Sequence, residues 1–397
     1  MMKKLLAILS IPLPLLEGLG MVLLLLTWST RLLAQGADPF GDVNIYKYQG
    51  NMTITAQVQQ NGSVVTDAVV AVYCEDELRG KERVGSGTNP NLSYLTVFGE
   101  YTGHYDYLYF KVYTNGIIFT VTPTPAIPFT FNGSIGTESE PYVITLPVSL
   151  ANNADNSTVL TTFNGQICDV VLAGRTLYKD GHWNTICLPF VLDSFTGTPL
   201  EGATVKTLGN SAGCNTGFNA ATGMLRLDFV DANRIEPGVA YIVKWESGDD
   251  ITNPVFTGVT VENEAPADHR TTSQDGTVSF VGSYSPVIIS GEDRGMLYLG
   301  SNNKLYYPNA AMQIGSCRAH FQLNGITAGD VFETRMFFGP EDGDNETSVN
   351  SQLSTVNSID AGALYDLSGR KINCQLSPVN SQLKKGIYIV NGKKILK

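Results

Sequence analysis

The segment Met52-Thr53-Ile54-Thr55-Ala56-Gln57-Val58 alternates apolar and polar residues without a break, and Asn61-Gly62 follows it closely. Alternation with period two puts every apolar side chain on one face of an extended strand. Asn-Gly readily takes the two left-handed conformations of a tight hairpin turn. Residues 68–74 form the continuous apolar run of a strand buried on both faces, and runs at 94–97, 107–113 and 117–121 are separated by Gly or Asn-Gly. A strand about every ten residues is the spacing of a β-sandwich. Almost no window carries an apolar stripe with a period of 3.6. The Pro-rich stretch 122–128 lacks the backbone donors of a central strand and is expected along an edge.

Beyond an Asn-rich polar break at 151–158, strands are again expected, at 167–172, 183–188, 224–229, 240–245, 277–281, 296–299 and 318–323. A length of 397 residues accommodates two or three domains. Only 16% of the residues are charged, against roughly 25% in an ordinary soluble domain, while 43% are apolar. This balance excludes a disordered chain and a coiled coil, and a net charge of −11 argues against nucleic acid as a partner. The expected fold is all-β: two β-sandwich-like domains in tandem plus a short C-terminal β-hairpin tail. The boundaries are residues 38–150 for an N-terminal, Ig-like sandwich and 159–338 for a second all-β domain. An acidic, then Ser/Thr/Asn-rich linker covers 339–358 and the tail 359–397. Val349-Asn350-Ser351-Gln352-Leu353 recurs at 379–383 in surroundings that do not repeat, which is read as insertion into tolerant loops and not as a solenoid.

Met1-Met2-Lys3-Lys4 precedes an apolar stretch at 5–26, and small and polar residues lead to Ala34-Gln35. A basic start, an apolar middle and a cleavage region make residues 1–34 a signal peptide cut near Ala34. Glu17, Pro12 and Pro14 disfavour retention of the stretch as an anchor. No second apolar stretch of 18 residues occurs, so no membrane span is expected after signal removal. Cys74, Cys168, Cys187, Cys214, Cys317 and Cys374 all follow the signal, where an oxidising compartment permits disulfides. Their spacing selects no pairing. Cys187 lies in the apolar run 185–190, which suits a buried free thiol as well as a bridge.

Chemistry is sparsely signalled. Gly209-Asn210-Ser211-Ala212-Gly213 matches a nucleophile elbow, but the loop-forming residues after it offer no helix to expose Ser211. His182 beside Asp180 has the company of a general base, yet Asp180-Gly181-His182 reads more simply as a turn between strands. His104, His182, His269 and His320 show no metal spacing, and the acidic stretch 342–346 lacks a calcium-loop pattern. No catalytic, metal or cofactor residue is therefore assigned. Tyr105, Tyr107 and Tyr109 fall on one face of a strand, opposite Asp106, Leu108 and Phe110. They are expected in the core; exposed, they would form a platform for a ligand.

The tail carries a resemblance. Leu364-Tyr365-Asp366-Leu367-Ser368-Gly369-Arg370-Lys371-Ile372, followed by Lys385-Gly386-Ile387-Tyr388-Ile389-Val390, resembles the C-terminal sorting domain of the type IX secretion system found in surface proteins of Bacteroidetes bacteria. The resemblance rests on Tyr365, Asp366, Gly369, Arg370, Lys371, Gly386, Ile387 and Tyr388. It implies export and a partner in the secretion machinery. Residues 172–190 are similar to a segment common in such surface proteins, and residues 72–80 to the turn of a sandwich domain in the same group; neither implies an activity. The expected function is that of a secreted, cell-surface-associated binding or adhesion protein without catalytic activity, engaging a glycan or a host or cell-surface protein. The alternative is a carbohydrate-active enzyme or carbohydrate-binding module acting on extracellular polysaccharide.

Overall fold

A computed structural model describes residues 38–100, 106–263, 269–300 and 303–339, together with the backbone of five short strands beyond residue 347. The architecture is all-β, divided into two compact units. The first holds the chain up to Leu150 together with Cys168–Ala173 and Val255–Gly258, and the second holds the remainder. Residues 1–34, expected as a signal peptide, lie outside the described residues. Among those described, no helix is long and apolar enough to cross a membrane.

In the first unit two five-stranded sheets face one another. The alternating segment is the long strand Gly50–Gln60, paired antiparallel with Ser93–Gly99 and Ser63–Val64 and parallel with Ser134–Ile135 and Tyr142–Thr145. Met52, Ile54, Ala56 and Val58 all point inward. They meet Val70, Val72 and Cys74 of Val69–Cys74 and Leu108, Phe110 and Val112 of Tyr107–Thr114, from the opposing sheet. Asn61-Gly62 and Asn115-Gly116 are both left-handed, with φ of 51° and 72° and of 50° and 78°, and both close hairpins. The Pro-rich stretch contributes the edge strand Ile127–Pro128. Val171, contributed by the strand Ile167–Ala173, belongs to this same core. That strand was expected in the second domain by its position in the chain. Its burial puts it in the first unit, because the sheet it joins with Val148–Ala151 and Val255–Thr260 belongs mostly there.

The second unit packs a seven-stranded sheet on a five-stranded one. Its core is aromatic: Phe280 stacks on Phe321 at 4.6 Å, and the Phe229 ring meets both edge-on. The strands Met296–Leu299 and Arg318–Leu323 span the expected residues, while the one expected at 183–188 is reduced to Asn184–Ile186. The polar break at 151–158 is an ordered clasp. Asn156 is buried, accepts from the Ala151 N–H and donates to the carbonyls of Ala151 and Tyr284, and the helix Ser157–Phe163 follows it. Ser348–Val349, inside the expected linker, adds a strand to the seven-stranded sheet. The tail is a four-stranded antiparallel sheet of Leu364–Asp366, Lys371–Ile372, Ile387–Val390 and Lys393–Leu396, one strand pair more than a single hairpin.

Candidate functional site

A cleft of about 390 Å³ opens in the second unit, and the segment 172–190 builds most of it. After the strand Thr176–Leu177 the chain turns through Tyr178, Asp180 and His182 and re-enters the sheet at Asn184. The turn is held by side chains. Asn184 clasps the Tyr178 backbone on both sides, accepting from its N–H at 3.0 Å and donating to its carbonyl at 2.9 Å. Asp180 accepts from the His182 N–H at 3.0 Å, and Gly181 takes φ of +80°. The turn expected from Asp180-Gly181-His182 is thus formed, and it also lines a cavity.

The opposite wall comes from the other sheet: Leu299, Gly300 and Arg318. Ala319 donates its N–H to Thr185 Oγ1 at 3.2 Å, which ties the two walls together. Directly behind the lining sits Arg175, 1% exposed. Its Nη2 donates to the carbonyl of Thr185, while Nε and Nη1 meet no acceptor. Burial pushes the guanidinium of Arg175 well below its ordinary range, and repulsion from Arg318 adds to this. Burial lowers Arg318 as well, partly opposed by the Tyr178 phenol and Cys317. Among the described residues, no carboxylate is among the groups acting on either cation. Guanidinium groups stay charged in proteins, so positive charge stands in the lining at Arg318 and directly behind it at Arg175, unpaired by any carboxylate among the described residues.

The remaining lining divides cleanly. Tyr178 is 51% exposed and offers a ring face. Trp183 does not, since Phe338 stacks on it at 4.9 Å and the Lys244 ammonium lies 5.4 Å from its centroid. Asp180 is the one carboxylate among the described residues of the lining, and its Oδ1 faces His182 Nδ1 at 3.3 Å.

A second cleft of about 430 Å³ in the same unit includes Gly213, Cys214, Asp228 and Asp231. Its charges are already paired, Arg226 with Asp228 at 2.6 Å and Lys206 with Asp231. Ser211 lies in the adjoining loop, its Oγ 3.7 Å from Cys214 Sγ, and the strand Gly217–Asn219 follows where an elbow needs a helix. Among the described residues no three His, Cys, Asp or Glu side chains gather as a metal site.

The tyrosine face lies on the outer side of its sheet, contrary to the expectation that it is core. Leu108, Phe110 and Val112 point inward instead. Tyr109 stacks on Tyr73 at 5.6 Å with the Lys111 ammonium 4.4 Å from the Tyr73 ring, and Tyr107 is 54% exposed. Tyr105 lies outside the described residues. Alternation alone separates the two faces of a strand without saying which one meets the opposing sheet. Of the tail residues, Tyr365, Asp366, Lys371, Ile387 and Tyr388 fall on strands, and Gly369, Arg370 and Gly386 lie outside the described residues. Arg175 and Arg318 carry no signal in the sequence: arginines 143 positions apart (318 − 175) meet only through sheet packing.

Comparison of the chain with protein-family models, with curated proteins and with solved structures finds no match in any of the three.

Proposed function

We propose that the chain is an exported, cell-surface-associated binding protein that holds a ligand in the cleft of its second unit without transforming it. The observation that carries this reading is Arg318, a largely buried cation without a carboxylate partner among the described residues, set in a cleft beside the exposed ring of Tyr178. Such a constellation recognises; it lacks the parts for turnover by paired carboxylates. A glycosidase needs two carboxyl groups flanking the scissile bond. Among its described residues this lining supplies Asp180 alone, and the two aspartates of the second cleft are each neutralised by a cation.

Export is supported by the order of basic, apolar and small residues at 1–34 and by the resemblance of 359–397 to a sorting domain. Three experiments test the proposal. A glycan and cell-surface-protein array probed with the full chain is expected to show capture that is lost in Arg318→Gln. Release of sugar from any polysaccharide in a hydrolase screen would favour the carbohydrate-active alternative. Fractionation of cells carrying the intact chain or one lacking residues 359–397 is expected to show surface protein only for the former. Equal surface amounts would remove the sorting role.

A further inference from the structure

The two arginines behind and within the cleft specify the ligand further. Arg175 is buried behind the lining with two N–H donors directed at no protein acceptor, and Arg318, whose charge acts on it, lines the cleft itself. Buried polar hydrogens without acceptors are rare, and buried charges without partners are rarer, because both forfeit hydration. Two like charges side by side increase that penalty. An oxyanion reverses it, accepting forked, charge-assisted hydrogen bonds that a guanidinium donates better than any other side chain.

We infer that the cleft takes an acidic sugar, its anionic group on Arg318 with Arg175 as the charge behind it, and its ring against Tyr178. This rests on the reading of the cleft as the ligand site. Shape and chemistry favour a saccharide over other anions. About 390 Å³ accommodates one sugar residue. Asp180 and His182 on the turn offer an acceptor and a ring nitrogen to hydroxyl groups, and the half-exposed Tyr178 offers an apolar face to ring C–H groups. A peptide carboxyl terminus is captured by successive backbone N–H groups, whereas the donors here are side chains. A polyanion is disfavoured by the net charge of −11. The anionic group is a carboxylate or a sulfate ester, which share this recognition chemistry.

The test is calorimetric titration of the full chain with D-glucuronate, glucose 6-sulfate and D-glucose, repeated with Arg318→Gln and Tyr178→Ala. At least one acidic sugar is expected to bind at least tenfold more tightly than D-glucose, and to lose at least tenfold in Arg318→Gln. Which acid binds tells carboxylate from sulfate. A readout free of ligand accompanies it: Arg175→Met removes an unpaired buried charge and is expected to raise the thermal midpoint of the free protein. If D-glucose binds as tightly as the acids and is lost in Tyr178→Ala, the cleft remains the ligand site and the charge inference falls. If glycans are captured on the array with no change in either variant, the cleft is not the site and both readings fall. Failure of both acids to bind, or a lowered midpoint in Arg175→Met, also overturns the inference.

Discussion

At the residue scale, Gly282 shows how closely the second unit is packed. A Cβ at this position would lie 2.3 Å from Cys187 Sγ and 2.8 Å from its Cβ, in a strand without strained backbone. Gly282→Ala is therefore an overpacking change, expected to cost about 1–3 kcal/mol in denaturant unfolding. Cys187→Ala in the same chain should recover part of the loss, and strict additivity of the two would refute the contact. That Cys187 is buried was legible in its apolar run. That it stands free, like Cys74, Cys168, Cys214 and Cys317, was not, because pairing depends on spatial neighbours. His320 gives a pH-dependent case. Burial and Arg270 lower it to about 4, against the partial opposition of Asp293. The unfolded chain protonates this imidazole near 6.5 and the folded one near 4, so the unfolded state binds more protons between these values. Stability should fall on acidification through that window, by on the order of 3 kcal/mol if His320 acts alone. His320→Gln should flatten the profile, and an unchanged slope would assign it to other groups.

At the scale of elements, the signals that could be read were local ones. Asn115-Gly116 forms its hairpin because both residues take left-handed backbone, and a Cβ on Gly116 would meet nothing within 4 Å. Gly116→Ala isolates the conformational cost, about 1 kcal/mol by thermal unfolding; no measurable change would mean that the turn adopts another geometry. Asn156 is the contrary case. Its composition marks a break, but its amide is consumed by Ala151 nearby and by Tyr284, 128 residues further along, a contact no local pattern encodes. Asn156→Ala removes the bonds to the Ala151 N–H and to the Tyr284 carbonyl, while the Ala151 carbonyl keeps the Ser316 hydroxyl, and a loss of about 1–3 kcal/mol is expected in chemical denaturation. The cleft follows the same division. The turn at 180–182 could be read from Asp-Gly, while the arginines that give it character could not.

On the scale of the whole molecule, the sheet fold was legible from alternation and turn residues, and a polar break at 151–158 accompanies the division after Leu150. The return of Cys168–Ala173 and Val255–Gly258 to the first unit was not, since a buried strand declares its burial but not its sheet. Val171, wholly buried in the first core, makes the point experimentally. A chain of residues 38–150 lacks it, and is expected to show weaker amide protection and a lower midpoint than the same region in the full chain. Equal protection would mean that the first sandwich is complete without the borrowed strands. The borrowing also sets a timetable. A polypeptide emerging N-terminus first, from a ribosome or through a translocation pore, has to leave its leading sandwich unfinished until residue 258 has emerged, so any factor that shields nascent sheet edges must stay bound over that interval.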